Sequence, residues 1–219
     1  MSLPSSPKLI KGGLVVLDAS SGAVSHVIAL QYNPDSLARS YQVQGTGGDG
    51  GAERAQPFRL KGPAIETIRV EAEIDATDAL AEPDRNASTV EFGIAPQLAL
   101  LEGLINPTSA QLVAHNALSN SGALEIIPPD APLLLFVWSA SRIVPVRITE
   151  FSVTEEAFDP ALNPMRAKVS LGLRVMNTDD LGFDNRGGSI FVNYLRTRES
   201  LAGKAGAASL QTLGLTSVP

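Results

Sequence analysis

Polar and apolar residues alternate strictly through "ETIRVEAEID" (66–75): Ile68, Val70, Ala72 and Ile74 share one parity, and Thr67, Arg69, Glu71, Glu73 and Asp75 the other. A period of two marks a half-buried strand. The same alternation runs through "MRAKVSLGLRVM" (165–176), with Ala167, Val169, Leu171, Leu173 and Val175 set against Arg166, Lys168, Ser170, Gly172 and Arg174. "RIVPVRITEFSV" (142–153) begins with Val144, Val146 and Ile148 in phase, then changes parity to Phe151 and Val153. A bulge near Thr149 and Glu150 produces such a switch. Pro145 has no amide to give a ladder, which puts it on a free edge or at an irregularity. "FDPALNP" parts the two long segments within 136–175, each about twice the usual strand length of roughly 5–6 residues.

Shorter extended segments surround this hairpin. "KLIKGGLVVLD" (8–18) and "VSHVIALQ" (24–31) predict two strands of a hairpin, the second closed by the turn "YNPDSL". "ARSYQVQG" (38–45) alternates, and "QPFRLKG" (56–62) resumes the extended pattern after the glycine-dense, flexible loop "GTGGDGGAERA" (45–55). "PLLLFVW" (132–138) is apolar at every position and too short for a helix, so it reads as a buried strand ending in Trp138, a core or barrel-rim residue.

Between the strands, 76–89 reads as a polar connector, and 90–105 as a helix with Ile94, Leu98, Leu101 and Ile105 on one side. A second short helix follows over 106–120, capped by Asn106 with Pro107 in its first turn. Residues 177–188 read as loop and 189–205 as an amphipathic helix with Ile190, Phe191, Tyr194, Leu195 and Leu201 near one face. That helix either docks a partner or packs on its own β-domain.

The composition narrows the chemistry. Hydrophobic residues make up 44% of the 219 and charged residues 18%, enough for a substantial core. A net charge of −6 argues against nucleic acid, whose binders carry a basic surplus. The chain has no cysteine and only two histidines, His26 and His115, which excludes disulfides and thiolate sites and leaves little for a histidine metal site. Residues 1–7 lack the pattern of a signal peptide, and the longest apolar run is far short of the roughly 20 residues of a membrane helix. The expectation is a chain made and assembled in the cytoplasm, without direct membrane insertion.

Candidate sites fail on spacing. "GTGGDGG" is followed by an extended segment where a phosphate loop needs a helix. "DDLGFDN" (179–185) lacks the closing glutamate of a calcium loop and reads as a solvated acidic loop. Ser25 and His26 are neighbours on a strand, so their side chains are expected on opposite faces. Glu71 and Glu73 share a face that reads as solvated or at an interface. No catalytic residue, cofactor site or metal site is assigned, and the chain is read as a non-enzyme.

Four stretches carry a resemblance: "VIALQYNPDSL", "AIETIRVEAEIDAT", "PPDAPLLLFVWSAS" and "VPVRITEFSVTEEAFDPALNPMRAKVSLGLRVM". Their order and local patterns, over roughly residues 8–177, resemble the tube-type N-terminal domain of contractile injection systems, a family related to phage tail-tube proteins. The resemblance implies a mainly β protein: an antiparallel β-barrel or sandwich with a central helix and long hairpins over residues 1–177, followed by an arm over 178–219. It implies a ring, a hexamer, in which neighbouring hairpins join around a lumen. Arg69, Glu71, Glu73, Lys168, Ser170 and Arg174 would face that lumen, while Val70, Ile74, Val169, Leu171 and Leu173 would pack the hairpins between subunits and onto the body.

The implied role is structural, a baseplate ring joining the spike or hub to the inner tube. Partners would be further copies of the chain and the inner-tube, spike or hub and baseplate proteins of the particle, which is released or membrane-anchored. A bulk inner-tube subunit is the nearest alternative. A monomeric β-barrel binding a small ligand is the alternative of another class, and a carbohydrate-binding sandwich is a third. On this reading a charge at Leu171 spares the fold and blocks ring formation.

Overall fold

The alternating segments become neighbouring strands of a single sheet. The computed structural model describes residues 10–18, 21–46, 59–120, 132–206 and 208–218. The strands are β1 (Gly13–Leu17), β2 (Val24–Ala29), β3 (Ala38–Gln42), β4 (Gly45–Thr46), β5 (Arg59–Leu60), β6 (Ile65–Asp75), β7 (Leu133–Ser139), β8 (Arg142–Phe158) and β9 (Pro164–Val175). Seven of them form one antiparallel sheet in the order β2-β1-β7-β8-β9-β6-β3, and β4 pairs with β5 separately. Beyond Gly45 and Thr46, the glycine-dense loop expected at 45–55 lies outside the described residues. The sheet is mainly antiparallel β as expected, but it is open. Its edges β2 and β3 do not pair with each other, so no barrel is closed by hydrogen bonds.

Register explains the core. Ile68, Val70 and Ala72 of β6 lie opposite Leu173, Leu171 and Val169 of β9, and these lie opposite Ile148, Phe151 and Val153 of β8. The ladder slips between Ile148 and Glu150, and this bulge keeps Phe151 and Val153 on the face that Ile148 occupies. Leu134 and Phe136 of β7 and Leu14 and Val16 of β1 continue the same inner face. Val70, Val169, Leu171 and Leu173 are therefore fully buried within the chain's own core, and Ile74 packs against them. A charge at Leu171 strikes the fold itself, contrary to the sequence-based expectation.

Pro145 sits at the end of the β8–β9 ladder. Its carbonyl accepts from Met176 N–H at 2.8 Å, and the first register pair beyond it is Val146 with Val175. Its missing donor interrupts no ladder. Trp138 stacks near Phe136 with ring centroids 6.0 Å apart and lies against Gly12, where a Cβ would stand 2.8 Å from the indole ring.

The helical region differs from the pattern-based reading. The connector at 76–89 contains α1 (Thr77–Leu80), a 3-10 turn (Pro83–Arg85) and the start of α2 (Ala87–Phe92). The single helix expected over 90–105 is broken after α2, and α3 (Ala95–Glu102) follows. Gly93 makes the break: its φ is +60°, and a Cβ there would fall 2.2 Å from the Pro164 carbonyl oxygen. Ile94, Leu98 and Leu101 are buried as expected, whereas Ile105 is exposed. α4 (Ser109–Asn120) starts past Asn106 and Pro107, because Thr108 and Gln111 form the cap: Thr108 Oγ1 accepts from Gln111 N, and Gln111 Oε1 accepts from Thr108 N.

The region read as loop at 177–188 holds α5 (Thr178–Leu181), capped by the buried Asn177, whose side chain accepts from Asp179 N and Asp180 N. α6 (Arg186–Ala202) begins earlier than the pattern suggests and lies along β8. Its Phe191 and Tyr194 join the same core cluster as the strands, while Leu201 is half exposed. The helix packs on its own β-domain.

Asp75 ties the end of β6 to α1. Its carboxylate accepts from Thr77 N at 2.7 Å and from Arg166 Nε at 2.7 Å. Hydrogen bonds from Thr77, and then from Arg166, hold its pKa down from 3.8 to about 2. A lowered folded-state value contributes stability above the usual value, and that contribution is lost as pH falls toward 2. Asp75→Asn is expected to cost about 2 kcal/mol near neutral pH and less than about 0.5 kcal/mol at pH 2. Urea titrations of both proteins at the two pH values check this; an equal difference at both would exclude the carboxylate as its source.

Candidate assembly surface

The outer face of β8, β9 and β6 is a polar strip built by the alternation that fills the core. Across it, Glu71 lies beside Ser170 and Ser152, Glu73 beside Lys168 and Thr154, and Arg69 beside Gly172 and Glu150. Thr67, Arg174 and Arg147 end the strip one way; Asp75, Arg166 and Glu156 end it the other. The structure thus brings Arg69, Glu71, Glu73, Lys168, Ser170 and Arg174 together on one face; Arg174 is partly covered and the rest are exposed.

Charges on this strip balance. It carries five acidic and five basic side chains, on a chain whose net charge is −6. Many are paired: Arg69 with Glu150 at 3.3 Å, Lys168 with Glu156 at 3.0 Å, Arg166 with Asp75, and Arg174 with Asp180 at 3.0 Å. The exposed pairs, Arg69 with Glu150 and Lys168 with Glu156, add at most about 1 kcal/mol each to stability. Their consequence is a surface without a strong field of either sign.

The two ends of the strip are open strand edges. β7 pairs with β8 only from Ser139–Arg142 to Leu134–Val146. Farther along, β8 is bonded to β9 on one side, and no described strand pairs with the other. The bond from Met176 N–H to Pro145 fixes which backbone groups point where. Carried through the bulge, the alternation turns Glu150, Ser152, Thr154 and Glu156 toward β9. It turns the N–H and C=O groups of Phe151, Val153 and Glu155 toward the open side.

The other edge is β3. Gln31 bonds both backbone groups of Asp75, at 2.8 and 2.9 Å, so the odd-numbered residues of β6 face the β3 side. Ala38, Ser40 and Gln42 then face β6, and Arg39 and Tyr41 present their backbone groups outward. Rows of unpaired backbone groups recruit another strand unless something covers them.

A charged cluster sits behind β3. Glu66 is buried because it shares the parity of Ile68, one step ahead of the apolar row of 68–74. It accepts from Arg39 Nε at 2.7 Å, Tyr41 Oη at 2.9 Å and Tyr194 Oη at 3.1 Å. Arg198 stands over the rings of Tyr41 and Tyr194 at 5.3 and 5.4 Å. Burial, and then the bond to Glu66, push Tyr41 up to about 12. These groups come from β3, β6 and α6, and pattern reading alone could not bring them together.

Other candidate chemistry among the described residues is weak. Ser25 and His26 do meet, with Oγ and Nδ1 3.0 Å apart, contrary to the strand expectation. Ser25 is the extra residue where Val16 pairs with His26 and Leu17 with Val24, and a bulge suspends alternation. Both are exposed, and no carboxylate bonds His26 among the described residues, so the pair lacks the third group that orients a base. In the 179–185 stretch, Asp179 and Asp180 lie in the first turn of α5, and Asp180 is spent on its cap and on Arg174. Among the described residues no group of three His, Asp or Glu is placed to hold a metal, and no helix is long and apolar enough to cross a membrane.

An apolar cavity of about 470 Å³ opens between β2, β6 and α3, lined by residues such as Leu14, Ile28, Ala72, Ile94 and Leu101. In its lining Gln31 is committed to Asp75, and Asp78 accepts from Tyr32 Oη. No known family model matches the chain, and none of the curated proteins matches it.

Proposed function

We propose that the chain is a structural ring subunit of a contractile injection system, placed at the baseplate where the spike or hub meets the inner tube. The observation that carries this reading is the pair of open edges. Four antiparallel strands, β8, β9, β6 and β3, lie between them. With an even number, the two edges run in opposite directions, so β3 of one copy can receive β8 of the next in the antiparallel sense. Each junction continues the sheet with its inner and outer faces unchanged.

Such a contact is head-to-tail, and head-to-tail contacts close into rings when the rotation allows. The polar strip then lines the lumen, with Arg69, Glu71, Glu73, Lys168, Ser170 and Arg174 facing the passage. Its balanced charge suits a wall along which another protein slides without adhering. Val70, Ile74, Val169, Leu171 and Leu173 hold the hairpin to the subunit body. The resemblance in the sequence supplies the hexameric order, the particle and the partner proteins; the bulk inner-tube subunit uses the same geometry.

The apolar cavity favours a second reading, a monomer that binds a small apolar ligand. Against it, Gln31, Asp75 and Asp78 of the cavity lining are already bonded within the protein. One measurement separates the two. Native mass spectrometry and negative-stain images of the purified chain, alone and mixed with its spike and tube partners, are expected to give hexameric rings with a central hole. A chain that stays monomeric in every mixture overturns the ring reading.

A further inference from the structure

A pocket of about 220 Å³ opens between β3, the β7–β8 turn and α6, lined by Arg39, Ser141, Arg142, Tyr194, Arg198 and Leu201. Three guanidinium groups meet there, and among the described residues the one carboxylate ion-paired with any of them is the buried Glu66. Arg39 is spent on Glu66 at 2.7 Å, but Arg198 reaches it only at 3.9 Å. Arg142 forms no ion pair among the described residues. Three positive charges against one negative leave an excess of two, on a chain that is net acidic.

We propose that this pocket receives the carboxylate of an acidic peptide segment on a partner protein. Glu66 already displays the recognition: arginine and phenol donors converge on a carboxylate. The pocket offers guanidinium donors one layer farther out: Arg142 forms no ion pair among the described residues, and Arg198 reaches Glu66 only at 3.9 Å. Guanidinium groups match a carboxylate with paired, charge-assisted hydrogen bonds. Arg198 is held against the Tyr41 and Tyr194 rings, so little side-chain freedom is lost when an anion arrives. The partly buried wall strengthens the attraction relative to open water. The site lies within one chain, so its binding is read separately from ring formation and stands or falls without it.

The test is a fluorescence-anisotropy titration of the full chain with a labelled, end-blocked Gly-Glu-Gly-Glu-Gly peptide, beside its glutamine counterpart and inorganic phosphate as competitor. The glutamate peptide is expected to bind, with affinity falling as salt rises. The glutamine peptide is expected not to bind, and phosphate to compete no better than chloride of equal ionic strength. Arg142→Ala is expected to keep the wild-type melting temperature and to weaken binding about 10-fold, the loss of one charge-assisted bond. Should Arg142→Ala melt early, Ser141→Asp, on the exposed turn, takes its place and is expected to block binding with its own carboxylate. Failure of the glutamate peptide to bind, equal binding of the glutamine peptide, preferential binding of phosphate, or undiminished binding by the substituted chain each overturns the proposal.

Discussion

Leu171→Asp is expected to abolish the cooperative thermal transition and leave a largely unfolded chain. Leu171 is 2% exposed and lies between Val70 of β6 and Phe151 of β8 in register. Replacing it removes about 2–5 kcal/mol of burial and packing. It also places a carboxylate among the buried apolar side chains of the core, at a further cost of several kcal/mol unless the acid stays protonated. The sum is comparable with the roughly 5–15 kcal/mol of a whole domain. Far-UV circular dichroism through a thermal melt checks the outcome. A cooperative transition near the wild-type temperature would show that the β6–β9–β8 core is misplaced.

If the proposed ring forms, Glu155→Pro is expected to do the opposite: keep the fold and lose the ring. The Glu155 side chain is exposed, and its amide points to the open side of β8, so proline removes a donor that nothing within the subunit uses. Stability should change by no more than about 1 kcal/mol. At a junction with β3 of the next copy, the same change deletes a ladder bond and sets the proline ring against the incoming strand. Because every junction in a ring carries it, assembly should fall to monomers. Glu155→Ala removes the charge and keeps the amide, and is expected to assemble as the wild type does. Sedimentation velocity on the three proteins decides; rings from Glu155→Pro would show that β8 is not the joining edge.

The two variants separate what a strand does with its faces from what it does with its edges, and the sequence speaks only to the first. Side-chain alternation in 66–75 and 165–176 identified the buried rows, and the change of parity after Ile148 identified the bulge, because the face of a strand is a local property of period two. The helical region was less legible. The break at Gly93 depends on the Pro164 carbonyl, seventy-one residues away in the chain, and no local pattern encodes that approach. The caps of α4 and α5 were present as Thr108 with Gln111 and Asn177 with Asp180, but their signal is a few polar residues in a polar stretch.

What the sequence determined by itself was a mainly antiparallel β chain, with the residues of its long hairpin sorted into a buried row and a wet row. The tertiary structure decided which strands neighbour which. From that pairing follow an open sheet with β2 and β3 at its edges, a stretch of β8 beyond β7 that is bonded on one side only, and the gathering of Glu66 and its arginines from three separate elements. The division has a physical cause. Burial preference is written residue by residue, whereas strand order and edge exposure belong to pairings between distant segments. Those pairings use backbone groups that every residue carries alike.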